Sequence, residues 1–223
     1  MGLGMLPACW AVTRVLVDSI IRSVGLVGGF SVESIALLGG MLLFAFLWSV
    51  LPHPVKTYVL GHELTHVVWG LLFFARPSRL KVGENGGSVK LTRTNFLITL
   101  APYFFPFYTF VVIASALVVR CFCNPLPCLW LWMLAIGLTW AFHILFTLQT
   151  LTVRQPDVAL YGRIFSWTFI YIANVALVLV WLCCTTRLTF IELGGFVMHR
   201  LIHAYASLAS LFVYFTRWIA DMF

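Results

Sequence analysis

The sequence predicts an all-α polytopic membrane protein of about five to six transmembrane helices, with one short β-hairpin after the second long apolar run. Three observations predict it. The 223 residues are 62% hydrophobic and only 9% charged, whereas soluble domains carry about 25% charged residues. Mean hydropathy is +1.01, and apolar runs close to the roughly 20 residues that a bilayer requires recur along the chain. Between two of these runs, residues 76–95 are polar, and Asn85-Gly86 there separates two short strand-like segments. Asn-Gly in that setting is a strong hairpin signal.

Residues 8–27 carry Arg14, Asp18 and Arg22 at i, i+4 and i+8. This charged stripe suits an amphipathic helix lying on the membrane interface, and it interrupts the stretch too early for an ordinary signal peptide. A first span is expected over 35–51, ended by Pro52-His53-Pro54, and a second over 55–75. The hairpin strands are Leu80 to Val82 and Ser88 to Leu91, flanking Gly83-Glu84-Asn85-Gly86-Gly87. A third span covers 96–119, broken by Pro102 and Pro106, a fourth 129–151 and a fifth 158–182. In the last segment, 188–223, Glu192, His199, Arg200 and His203 suit a partly interfacial helix, while 201–216 could dip into or cross the membrane. With no internal repeat, low-complexity tract or linker, the chain reads as a single membrane-embedded domain, 1–223, around a core of 55–182.

The formal charge of +7 does not point to nucleic acid. Basic residues cluster near the ends of apolar runs and in the 76–95 connection, as topology signals and headgroup contacts do. Arg76, Arg79, Lys81, Lys90, Arg93, Arg154, Arg14 and Arg22 fall on one side by alternation, against Lys56, Arg120 and Arg187 on the other. The richer side is expected to be cytoplasmic. There are six cysteines, Cys9, Cys121, Cys123, Cys128, Cys183 and Cys184; the group at 121–128 could form a disulfide loop or a metal knuckle, but its spacing matches no strong zinc pattern. The three in the 121–128 loop read as incidental thiols.

The chemistry lies in His62-Glu63-Leu64-Thr65-His66, inside the expected second span. Two histidines four apart share one helix face, so both imidazoles can reach one metal ion. The glutamate beside the first is placed to take a proton from water at that metal. Uncompensated polar side chains at such depth oppose insertion, so a buried cluster of this kind marks a functional site. His66 lies nine residues before Ala75, roughly 13 Å below the surface at 1.5 Å per residue, which puts the mouth of the site on the cytoplasmic side.

A catalytic zinc takes three protein ligands and leaves one position open. Among the other acids (Asp18, Glu33, Glu84, Asp157, Glu192 and Asp221), Asp157 stands out. It follows Pro156 at the junction of the fourth and fifth spans, on the side of the mouth. Proline suits a first helical turn, which would aim Asp157 into the bundle. A helix cap or a salt bridge to Arg154 or Arg163 is its structural alternative. His143, within the fourth span, is the competing ligand. It lies about 14 residues from Asp157, roughly 20 Å along a helix, so both cannot bind one metal unless the helix breaks. His199 and His203 share i, i+4 spacing but lack the glutamate.

These residues resemble the site-2 protease family of intramembrane zinc metalloproteases. The resemblance rests on Gly61-His62-Glu63-Leu64-Thr65-His66 in an apolar helix, the glycine-containing hairpin that follows, Leu100-Ala101-Pro102-Tyr103 in a proline-bearing span, and Asp157 near a helix start. Val158 follows Asp157 where the family usually has glycine. The resemblance implies one Zn2+ per chain held by His62, His66 and Asp157, with Glu63 as catalytic base. It implies hydrolysis of peptide bonds in a transmembrane protein substrate, with the lipid bilayer as the setting. Tyr103, Asn95, Asn174 and Gln149 are candidate donors to substrate or oxyanion. The hairpin edge could receive an extended substrate by β-addition. The alternatives are a non-proteolytic zinc-binding membrane scaffold, which does not need Glu63, and a metal transporter, which often carries repeated halves.

Overall fold

The computed structural model describes residues 2–27, 31–83, 86–186, 188–220 and 222. The hairpin-turn residues Glu84 and Asn85, and also Arg187 and Asp221, lie outside the described residues. The fold is all-α apart from one hairpin. The helices are α1 (Leu6–Val27), α2 (Val32–Val50), α3 (Val55–Leu72), α4 (Phe96–Leu100), α5 (Phe107–Phe122), α6 (Leu129–Thr152), α7 (Pro156–Leu160), α8 (Arg163–Thr185) and α9 (Phe190–Ala220), with strands β1 (Pro77–Gly83) and β2 (Gly86–Leu91). The chain divides into two compact units, Phe30–Tyr161, and Met1–Gly29 together with Gly162–Phe223.

Five helical stretches are long and apolar enough to cross a membrane: Gly2–Ser23, Val32–Val50, Leu129–Thr152, Arg163–Thr185 and Phe190–Ile219. The pair Phe96–Tyr103 and Phe107–Phe122, bent by 83° at its break, makes a sixth if counted as one span. This is the polytopic helical architecture of a membrane protein, although the set of helices differs from the sequence reading. The stretches at both ends of the chain qualify. The expected span over 55–75 is instead an 18-residue helix, α3, which is not among the five. Lys56 and the four polar residues of the motif (His62, Glu63, Thr65 and His66) lower its hydropathy.

In the unit Phe30–Tyr161, α2 and α6 cross with their backbones nearly touching. A Cβ on Gly40 would stand 2.0 Å from the Leu134 carbonyl oxygen, and one on Gly137 would stand 2.0 Å from that of Leu37. Small residues that let helix backbones approach are the usual device where lipid gives helices no hydrophobic reason to associate. Beyond the crossing, Phe44, Phe142 and Phe146 form an aromatic core that Trp48, Tyr58 and Tyr108 extend. Tyr58 stacks on Phe146 at 4.7 Å and Trp48 on His53 at 3.7 Å. These contacts fasten the start of α3 to the α2–α6 pair.

β1 and β2 pair antiparallel, Pro77 with Leu91 and Gly83 with Gly86, with an irregularity between Ser78 and Lys81 where Arg79 takes a positive φ of 50°. Against the sequence reading, β1 is longer by three residues at its start and one at its end, and β2 by two at its start. In α4, Asn95 is the N-cap, its side chain accepting from the Ile98 N–H. The span breaks at Pro102 and Pro106 as expected: Pro102 lies in a 3-10 turn at Ala101–Tyr103 that follows α4, and Pro106 is the N-cap of α5.

In the second unit, α1 packs against α8 and α9 around Val12, Val15, Val175, Leu179 and Leu193. The charged stripe of α1 meets partners on α9: Arg200 gives two hydrogen bonds to Asp18, at 2.5 and 3.1 Å, and Arg22 meets Glu192 at 2.6 Å. Paired charges cost an apolar environment far less than isolated ones.

The α2–α6 crossing yields a direct test. Gly137→Ala forces a methyl group into the Leu37 backbone, while Gly39→Ala meets nothing within 4 Å. We expect Gly137→Ala to lose about 1–3 kcal/mol, the usual cost of overpacking, and Gly39→Ala to unfold like the parent. Thermal unfolding in detergent measures both; equal midpoints for the two variants would contradict the crossing.

Candidate metal centre

His62 and His66 sit one turn apart on α3 and turn their Nε2 atoms toward the same point. The third group arrives from the other end of the unit. After α6 ends at Thr152, Gln155 caps α7, and Pro156 occupies its first turn beside Asp157. Asp157 is therefore not the cap; its side chain points into the bundle. Asp157 Oδ2 lies 3.5 Å from His62 Nε2 and 3.6 Å from His66 Nε2. Ligand atoms of all three residues lie within 4.8 Å of one another.

These separations fit a metal. Bonds of about 2.0–2.1 Å at tetrahedral angles place neighbouring ligand atoms about 3.3 Å apart. A charge-assisted hydrogen bond would instead draw N and O to about 2.7–2.9 Å. The donor set, two imidazole nitrogens and a carboxylate oxygen, is one that divalent zinc takes. The three residues present thus fit a divalent ion, and the group can hold one.

The surroundings hold two members of this group by hydrogen bonds. His66 Nδ1 lies 2.9 Å from the Ile98 carbonyl oxygen, so it donates there and leaves Nε2 with its lone pair for the metal. That carbonyl is available because its helical partner four residues on is Pro102, which has no N–H to give. Tyr103, fully buried at the break, donates its hydroxyl to Asp157 Oδ2 at 3.3 Å and sets its ring edge-on to His62 at 5.3 Å. Burial alone would raise the Asp157 carboxyl, but its contacts with His62 and His66 hold it well below the usual carboxylate range. Gly61 makes room beside the pair, since a Cβ there would stand 2.7 Å from the Tyr108 ring.

Glu63 is only 6% exposed because the hairpin covers it. A Cβ on Gly87 would lie 2.7 Å from Glu63 Cγ, and the Val89 backbone N–H faces the Glu63 carboxylate. Glycine at 87 is what lets β2 lie this close.

Of the sequence candidates, His62, Glu63, His66 and Asp157 come together. His143 does not join the metal group and instead sits buried in α6. The His199 and His203 rings are 4.3 Å apart, but no third ligand makes a metal group with them among the described residues. Asn95 is a helix cap, Gln149 is exposed, and Asn174 donates to the Ile170 carbonyl of its own helix. Tyr103 donates its hydroxyl to the Asp157 carboxylate. All six cysteines are free thiols, those of the 121–128 loop exposed. The sequence reading missed the Ile98 carbonyl and the Gly87 approach; Pro102 was the signal for the first.

Asp157→Asn removes the anionic ligand and should abolish stable metal binding while the helices remain. Tyr103→Phe removes only the hydroxyl and should weaken divalent-metal binding about 10- to 100-fold, the usual range for such outer contacts. Competition against a chromophoric chelator measures both. Unchanged affinity in Asp157→Asn would show that the carboxylate is not a ligand. Gly87→Ala should displace β2 from Glu63 and expose hairpin amides to hydrogen exchange; unaltered exchange would contradict the close approach. Comparison with family models, with curated proteins and with solved structures found no match to this chain.

Proposed function

We propose that this chain is an intramembrane zinc metalloprotease, a divergent relative of the site-2 proteases, acting on peptide bonds of membrane-embedded protein substrates. The convergence of His62, His66 and Asp157 from two separate elements, with ligand atoms 3.5 and 3.6 Å apart, carries the reading. The intact Glu63 beside it favours hydrolysis over storage or transport, because binding alone does not need that carboxylate. Zinc bound there supplies Lewis acidity, which acidifies water and polarises a carbonyl.

The chain's own residues do the rest. His62, His66 and Asp157 hold the ion, and Tyr103 and the Ile98 carbonyl hold two of those ligands in place. Glu63 accepts a proton from the attacking water at its carboxylate and delivers it to the leaving amine. The cover of β2 keeps that carboxylate away from bulk solvent. The two strands pair only with each other among the described residues, and their outer edges can receive an extended substrate segment. This matters because a helical substrate conceals its scissile amide until it unwinds. Arg76, Arg79, Lys81, Lys90 and Arg93 are exposed on and beside the hairpin. Their excess over the basic residues expected on the other side supports, by the positive-inside rule, a reading in which the mouth of the site opens toward the cytoplasm.

Glu63→Gln separates binding from chemistry. It should keep one zinc per chain and lose cleavage of a transmembrane substrate by at least about 100-fold, as loss of a general base does. Purified parent and variant with equal proteolysis and equal zinc would remove Glu63 from the reaction.

A further inference from the structure

His66 has a carbonyl for its Nδ1; His62 has none. His62 Nδ1 is buried with no protein hydrogen-bond partner among the described residues, and His143 Nε2 is in the same condition. Both residues line one small cavity of about 20 Å3 between α3, α5 and α6, which Thr65 and Thr139 also line. A cavity needs about 10–15 Å3 and two to four polar partners to hold a water molecule. Here the volume suffices for one, and the partners are present.

We propose that one ordered water in this cavity joins His62 Nδ1 to His143 Nε2, making His143 a positioning residue for the metal centre. The inference rests on the metal-binding reading of His62, His66 and Asp157. With Nε2 of His62 committed to the metal, its Nδ1 must carry the proton and find an acceptor. The water accepts that proton as a hydrogen bond. It donates one of its own hydrogens to His143 Nε2 and the other to a threonine hydroxyl oxygen. Thr65 suits this last role, because its hydroxyl already donates to the Gly61 carbonyl at 2.7 Å and keeps its lone pairs free to accept. Each group in the chain of contacts is thereby satisfied, and His62 is held in the tautomer that His66 obtains from Ile98.

The full chain is purified in detergent as parent, His143→Leu and His143→Gln. Zinc affinity is read by chelator competition and ligand geometry by the visible spectrum of the cobalt-loaded protein. We expect His143→Leu to bind zinc about 10- to 100-fold more weakly with an altered cobalt spectrum. His143→Gln, whose amide oxygen can still accept from the water, should recover most of the affinity and the parental spectrum. Parental affinity and spectrum in His143→Leu would overturn the inference alone. Equal weakening of both variants, with a lowered melting temperature, would assign His143 to packing and overturn it too. A parent that binds no zinc would overturn the metal centre, and this inference with it.

Discussion

The Asp157 carboxylate is the hinge of this structure. One oxygen faces two imidazoles from α3 and the Tyr103 hydroxyl from the helix break. It ties the end of α6 to the motif helix, although the two are about 90 residues apart in sequence. In an apolar setting such polar groups persist only when they satisfy one another or a shared ion. Three features follow from that constraint: α7 begins with proline, the span over 96–119 breaks at Pro102, and Tyr103 is wholly buried.

The rest of the unit serves to present these groups. The α2–α6 crossing is set by Gly40 and Gly137, and the aromatic core around Phe142 and Phe146 fixes the start of α3. The helix break both frees the Ile98 carbonyl for His66 and aims Tyr103 at Asp157. One irregularity thus positions two of the three residues of the candidate metal group. The hairpin contributes differently: it brings backbone close over Glu63 and leaves strand edges open. His62, His66 and Asp157 are held by deep, regular packing, and Glu63 lies at the boundary between helix and hairpin.

Much of this was legible because it is local. The spacing of His62 and His66, the proline before Asp157, the Asn-Gly turn and the paired prolines of the third span all act within a few residues, where helix and turn geometry is predictable. The features that escaped are contacts between distant segments. Nothing near Arg14, Asp18 and Arg22 reveals that Arg200 and Glu192 would meet two of them. A stripe that reads as interfacial therefore belongs to a helix long and apolar enough to cross a membrane. Conversely, the motif's own polar side chains, with Lys56, remove α3 from that set, even though its neighbours qualify. Gly87 looked like a turn residue and proves to be a spacer against Glu63, which depends on where the hairpin folds back. His143 read as a rival ligand. It instead lies behind His62, a distinction that only the path of α6 could make.

X-ray absorption at the zinc edge of the purified parent protein addresses the metal centre most directly. The account predicts one zinc per chain with only nitrogen and oxygen neighbours at about 2.0–2.1 Å, two of them showing the outer-shell scattering of imidazole rings. A protein that retains no zinc, or one whose zinc is bound by sulfur from the free cysteines, would contradict it.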